Sequence, residues 1–120
     1  MERVEELKIR DKLVVVIQSE MGRRPHYNKG QSKDHWSIGS IMFIGEGIRG
    51  NRVIGATDER QFLIPIDNKT LGIDEENGMR TRPEHIHRAL RVLAGIEDHS
   101  LSRKFPLKIP EGERLRGLFA

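Results

Sequence analysis

The sequence predicts an α/β fold in which two or three mostly parallel strands are flanked by helices. Two apolar runs predict strands, at residues 13–17 and 41–44, and an amphipathic pattern predicts a helix over about 82–94. The first run, LVVVI, is apolar at every position, which is typical of a strand in a parallel sheet covered on both faces. A short charged helix predicted over 2–10 precedes it, so the order of elements suits half of a βαβ unit.

The middle of the chain predicts fewer regular elements. RVIGA at 52–56 is a candidate for a third, short strand. FLIPI at 62–66 is the next apolar stretch, and Pro65 restricts it to a sheet edge or to a position outside a ladder. No low-complexity tract and no linker divides the chain, so we expect a single domain over residues 1–120 with an irregular tail at 96–120.

The closing helix has recognisable ends in the sequence. Thr81 and Glu84 match a capping box, and Pro83 suits the first turn of a helix. Gly95 is placed to end it. The apolar residues between these ends recur at the spacing of one helical face: Ile86, Ala89, Leu90 and Leu93. The pattern therefore predicts a helix that packs on a core through a single face.

The composition excludes several classes of protein. The chain has 120 residues, and no apolar run approaches the ~18 residues that a membrane-spanning helix requires. With no cysteine, disulfides and thiolate metal sites are excluded. The hydrophobic content of 36% is below the usual ~45%, so we expect a thin core or one completed from outside this chain.

The charge balance by itself does not identify a binding partner. The 21 basic and 18 acidic side chains give a net charge of +3, and the basic residues are scattered among acids. This distribution suits an anionic small-molecule substrate but gives little reason to expect nucleic acid or a membrane. The first ten residues alternate charges and lack an apolar segment, so we expect no signal peptide and leave the localisation open.

Residues 18–39, here called the site loop, follow the first predicted strand and contain most of the reactive side chains. Ligands in open α/β sheets bind beyond the carboxyl ends of the strands, which is where this loop begins. Loops of ~20 residues are uncommon in small domains unless they are functional or disordered. The site loop is therefore the predicted functional region.

Three side chains of the site loop are candidate metal ligands, namely Glu20, Asp34 and His35. Carboxylate and imidazole groups bind zinc and also accept manganese or iron, so a divalent metal is a possible cofactor. Each side chain has an alternative interpretation as a solvated loop residue. His85 and His87 lie two apart on a predicted helix and point about 200° away from each other, so they cannot share an ion and are predicted at the surface.

Four basic residues lie in the same loop: Arg23, Arg24, Lys29 and Lys33. Such a cluster attracts phosphate, sulfate or carboxylate, and an arginine binds such groups with two parallel hydrogen bonds. The equally plain interpretation is a loop that uses charge to stay soluble. An alternative function is a small non-catalytic module that binds an anion or nucleic acid through the basic loop 23–33. A truncated gene product with no function of its own is a further alternative.

The ordered motifs resemble a known family of bacterial proteins. The resemblance covers roughly residues 5–105 and rests on LVVVIQSEMGRRP, KDHW, IMFIGEGIRGNRVIGATDE and RPEHIHRALRVLAGI. The family is domain-of-unknown-function family 1501 (DUF1501), within the alkaline phosphatase-like superfamily that includes sulfatases. The resemblance implies a partial alkaline phosphatase-like three-layer fold.

The resemblance also implies what this chain does and what it lacks. It corresponds to the C-terminal portion of longer proteins, commonly exported to the periplasm, that would hydrolyse phosphate or sulfate esters. The nucleophile would lie in the N-terminal portion, so this chain would contain no catalytic residue and would be inactive alone. Its partners would be that missing portion, or a second copy bound through exposed sheet edges.

The resemblance gives roles to particular residues of the site loop. Glu20 and His35 would be metal ligands, and Asp34 a third ligand or the group that orients His35. Arg23 and Arg24 would contact the anionic substrate. The superfamily motif has histidine where this chain has methionine, directly after Glu20, and thioether sulfur is a poor ligand for a hard divalent ion.

Overall fold

The computed structural model describes residues 2–119. The chain divides into two compact units, Met1–Gly50 and Asn51–Ala120. The first unit contains one short helix and two small sheets. Its elements are α1 (Glu2–Glu6), a 3₁₀ turn (Arg10–Lys12), β1 (Val14–Gln18), β2 (Gly22–Arg23), β3 (His35–Trp36) and β4 (Ile41–Gly45). The strands begin within a residue of the two apolar runs that predicted them.

The sheets of the first unit are antiparallel, so the prediction of mostly parallel strands is wrong. β1 pairs with β4 from Val14 opposite Gly45 to Gln18 opposite Ile41. A parallel connection needs a crossover, usually a helix that covers one face of the sheet, and the site loop contains no helix. The site loop instead joins adjacent ends of β1 and β4, as a long hairpin does. An α/β class remains compatible with the mixture of helices and small sheets.

The β1–β4 ribbon has an apolar face that is open to solvent at one end. Opposite residues of an antiparallel pair share a face, which here contains Val15, Ile17, Met42 and Ile44. Ile17 is 54% exposed and Met42 57% exposed. A shallow depression of about 140 Å³ near α1 is lined in part by Val15 and Ile44. A strand that is apolar at nearly every position is therefore not buried on both faces in this chain.

In its described residues, the second unit contains two helices and several short bridges between extended segments. Its elements are α2 (Pro83–Leu93), α3 (Ser100–Lys104) and a 3₁₀ turn (Glu111–Glu113). Ile66 forms antiparallel bridges with both Ile73 and Met79, so one residue joins three segments. The predicted strand over 52–56 is absent, and the chain instead pairs at Thr57 and Leu63.

The core of the second unit is assembled from distant parts of the sequence. Its buried hydrophobic residues are Ile66, Leu71, Ala89, Ile109 and Leu118. Two of these lie in the segment predicted as an irregular tail, which also contains α3 and the 3₁₀ turn. The tail is therefore part of the core packing. Within residues 2–119, no helix has the length and apolarity that crossing a membrane would require.

The first turn of α2 differs from the predicted capping box. The residue before the helix is Arg82, and its backbone N–H donates to His85 Nδ1 at 2.9 Å. The backbone N–H of His85 donates back to the Arg82 carbonyl at 3.0 Å. The predicted pair of Thr81 and Glu84 does not form the cap because the helix begins one residue later than that spacing requires.

Candidate functional site

The site loop is ordered by a second antiparallel ribbon. β2 and β3 pair with Gly22 opposite Trp36 and Arg23 opposite His35. A Cβ atom on Gly22 would lie 1.8 Å from the carbonyl oxygen of Ile38, so the close approach of these backbones requires glycine. The ribbon places the basic and imidazole side chains of this pair next to each other.

Asn28 organises the turn at the end of this ribbon. Its side-chain oxygen accepts hydrogen bonds from the backbone N–H groups of Gly30, at 2.9 Å, and Ser32, at 3.2 Å. Its side-chain nitrogen donates to the Asp34 carboxylate at 2.7 Å. One amide side chain therefore fixes both the turn backbone and the carboxylate next to His35.

The cations of the site loop are held by specific contacts. Arg23 Nη1 donates to the carbonyl oxygen of Lys33 at 2.9 Å, which fixes the guanidinium along the ribbon. The Arg24 guanidinium lies 5.0 Å from the centre of the Trp36 ring. The Lys33 ammonium lies 5.3 Å from the centre of the Tyr27 ring. Cations over aromatic faces are stabilised by the ring quadrupole, so these charges have preferred positions before any ligand binds.

The candidate metal ligands are all exposed but do not form a closed site. Glu20 lies in the connection between β1 and β2, and His35 lies in β3. Asp34 directly precedes His35 and already accepts a hydrogen bond from Asn28. Among residues 2–119, no group of three or more histidine, aspartate or glutamate side chains is arranged to hold a metal ion. The donors present here would therefore form at most part of a coordination sphere.

His85, predicted at the surface, is the most buried polar residue of the described chain, at 1% exposure. Because its Nδ1 accepts from the Arg82 backbone, its Nε2 holds the proton and donates to Glu113 Oε2 at 3.0 Å. Arg82 also approaches that carboxylate oxygen at 3.4 Å. With its side chain enclosed, His85 cannot reach a substrate, and it acts as a structural link.

No local pattern could have distinguished His85 from His87. The helical geometry correctly indicated that the two side chains point apart, and His87 is exposed. Which of them is buried depends on Glu113, 28 residues further along the chain. The contact partner is distant in sequence, so the spacing of the two histidines does not reveal it.

The comparisons with known proteins give one match. A family model described as "Protein of unknown function (DUF1501)" matches residues 4–104. No curated protein and no solved structure matches the chain. The matched region includes the whole site loop and α2, and it stops before the final segment that closes the core of the second unit.

Proposed function

Because the chain belongs to the DUF1501 family, we propose that it supplies part of the active site of a metal-dependent phosphate- or sulfate-ester hydrolase. In this proposal the chain is a C-terminal part of an alkaline phosphatase-like fold, whose nucleophile and remaining layers lie outside residues 1–120. The observation that most supports it is the position of Arg23, fixed on the ribbon directly opposite His35.

Arg23 is the proposed substrate contact. Its Nη1 is held by the Lys33 carbonyl, and in the described part of the chain its other terminal nitrogen has no hydrogen-bond partner. A guanidinium held in one orientation can donate two parallel hydrogen bonds to a tetrahedral oxyanion, with little further loss of side-chain freedom. Arg24 stacks on Trp36, which pairs with Gly22 and so lies on the other face of the ribbon; it would add positive charge to the loop without contacting the same anion.

Glu20 and His35 are the proposed metal ligands of this chain. Both side chains are exposed, and neither has a hydrogen-bond or ion-pair partner among residues 2–119. One carboxylate and one imidazole suit zinc, manganese or iron, and the other ligands would come from outside the chain. When bound, such a metal would polarise the ester and activate an oxygen nucleophile. Asp34, held by Asn28, would keep the segment before His35 in position.

Anion binding tests the substrate contact. We expect titration of the chain with inorganic phosphate or sulfate to shift backbone NMR resonances of β2 and β3. Arg23→Gln should weaken this binding about tenfold, because a bidentate charged contact is lost. Arg23→Lys should give an intermediate affinity, since an ammonium cannot reproduce the paired geometry. Arg60→Gln, the same change at an exposed arginine of the second unit, is the matched control. Equal affinities for all the variants would contradict the assignment.

Metal titration by calorimetry tests the proposed ligands. We expect weak binding of zinc or manganese to the chain alone, because only part of the coordination sphere is present. Glu20→Ala and His35→Ala should each abolish it, whereas His87→Ala, at an exposed histidine of the second unit, should not. Binding that survives both site-loop substitutions would show that the ligands are elsewhere.

A non-catalytic binding module is the second candidate function. Tyr27 is 69% exposed beneath Lys33, and exposed aromatic rings beside cations are typical of surfaces on which nucleic-acid bases stack. The loop 23–33 would then bind single-stranded nucleic acid, with an affinity that falls steeply as salt is raised. Tyr27→Ala should weaken such binding while leaving phosphate binding unchanged, which separates the two candidates.

A further inference from the structure

The outer edge of β1 lacks the features that keep exposed strands from pairing. In the part of the chain that the structure describes, β1 pairs only with β4, so its other edge is open. The strand reads VVVIQ and contains no charge and no proline. Native edge strands are usually protected by lysine, proline, a bulge or a covering segment. An unprotected edge of five residues indicates a strand that pairs with another chain.

Charged residues flank this edge with opposite signs. Lys12 precedes the strand by two residues, and Glu20 follows it by two residues. Neither side chain has an ion-pair partner among residues 2–119. The strand is therefore a neutral segment with a positive charge before it and a negative charge after it. When a second copy runs antiparallel beside it, the positive end of each strand lies next to the negative end of the other.

We propose that two copies of the chain pair antiparallel through their β1 strands, in a register centred on Val16. In this register Val16 faces its own counterpart, Val15 faces Ile17 and Val14 faces Gln18, so the whole strand is paired. Lys12, at the end of the 3₁₀ turn, and Glu20, in the bend after β1, then flank the same end of the pair, one from each copy. The result is a four-stranded sheet in the order β4–β1–β1–β4. It joins the two apolar faces, and Ile17, 54% exposed in one copy, gains a cross-strand apolar neighbour.

Other pairings of the ribbon are less complementary. Centring β1 on Val15 shortens the paired segment to residues 14–16, because Ile17 and Gln18 would then face Leu13 and Lys12, which lie outside the strand.

Pairing through β4 is also less complementary. In a register centred on Phe43, Glu46 lies opposite the neutral Ser40, so the Glu46 carboxylate has no positive charge facing it. The register centred on Val16 brings the two flanking charges together, and a two-fold axis repeats that contact. This proposal does not rest on the hydrolase function.

Cross-linking tests the register directly, because the chain has no cysteine of its own. In the proposed pair the Cβ atoms of the two Val16 residues lie about 4.5–5.5 Å apart, close to the separation a disulfide needs. Under mild oxidation Val16→Cys should give a covalent dimer, whereas Val14→Cys should not, since its copies would lie about 13 Å apart. Val53→Cys, at a residue that is 94% exposed in the second unit, controls for random collisions.

Charge reversal tests the flanking contacts by sedimentation equilibrium. Lys12→Glu should weaken dimerisation about tenfold or more, because each of the two attractive pairs becomes repulsive. The double variant Lys12→Glu with Glu20→Lys should restore it. A monomer at all concentrations, efficient cross-linking through residue 14 instead of 16, or no rescue by the double variant would each overturn the proposal. Both measurements use metal-free buffer, so that the change at Glu20, which is also a proposed metal ligand, reports on dimerisation alone.

Discussion

At the scale of single residues, aspartates shape the extended segments of the second unit by accepting backbone hydrogen bonds within tight turns. Asp67 Oδ1 accepts from the N–H groups of Lys69, at 3.0 Å, and Thr70, at 2.6 Å. Asp58 and Asp74 make equivalent contacts in their own turns. Because these side chains satisfy donors that no strand partner reaches, the chain can reverse without regular sheet.

These contacts make the stability of the Asp67 turn depend on pH. Hydrogen bonds from the backbone and hydroxyl of Thr70 and from the Lys69 backbone hold the pKa of Asp67 below its ordinary value of 3.8. A lowered folded-state pKa adds stability above that ordinary value, and this stability is lost as the pH falls through the folded-state pKa. We therefore expect Asp67→Asn to lower the Tm near neutral pH and to show a smaller difference from the parent chain in acid.

Thermal denaturation followed by circular dichroism, at pH 7 and pH 3, measures this difference. Glu75→Gln is the control, because Glu75 is exposed and makes no side-chain hydrogen bond in the described chain. A Tm deficit of the Asp67 variant that is as large in acid as at neutral pH would show that the carboxylate charge does not stabilise the turn.

At the scale of elements, α2 is joined to the end of the chain by polar contacts as well as by its apolar face. His85 connects the first turn of the helix to Glu113. Glu97, just beyond the helix, accepts from Arg88 at 3.1 Å and from Arg114 at 2.9 Å. The apolar spacing predicted the helix, but these distant partners determine which of its polar residues are buried.

We expect His85→Ala to reduce the free energy of unfolding by about 2–3 kcal/mol, because it removes two hydrogen bonds and leaves a void. His87→Ala, at an exposed position of the same helix, should change it by less than about 0.5 kcal/mol. Urea denaturation of the two variants measures both values. Similar small losses for both would mean that the link between His85 and Glu113 contributes little to stability.

The strands show which features of an element the local sequence pattern can predict and which it cannot. The runs at 13–17 and 41–44 predicted the places of β1 and β4, because β-branched and aromatic residues favour extended backbone wherever they pack. Their relative direction was predicted wrongly, since it depends on the path of the intervening chain. The residues of the site loop identified a candidate region, and the β2–β3 pairing then placed Arg23 opposite His35.

At the scale of the whole molecule, the two units differ in how they use their apolar residues. Among residues 2–119, the five buried hydrophobic residues all lie in the second unit, whereas the β1–β4 ribbon leaves Ile17, Met42 and Ile44 exposed. The 36% hydrophobic content therefore supplies one small core, and large apolar side chains are exposed in both units, Val53 and Leu101 of the second unit among them. This open face belongs to the ribbon whose β1 edge we propose to pair with a second copy.

The final segment closes the core of the second unit, so its removal should be costly. Leu118 is 7% exposed, and we expect Leu118→Ala to lower the free energy of unfolding by about 2–4 kcal/mol through the cavity it leaves. Leu101→Ala, at a leucine that is 58% exposed, should cost less than about 1 kcal/mol. Chemical denaturation compares the two, and equal losses would contradict a core closed by the end of the chain.

By itself, the sequence determined where β1, β4 and α2 lie, because strand and helix formation depend on side chains close together in the chain. Its motifs over roughly residues 5–105 also indicated the DUF1501 family, which the family model matching residues 4–104 confirms. Only the tertiary structure decided the antiparallel direction of the strands, the burial of His85 and the place of Leu118 in the core. Each of these depends on partners more than twenty residues away, and such contacts form only when the whole chain has collapsed.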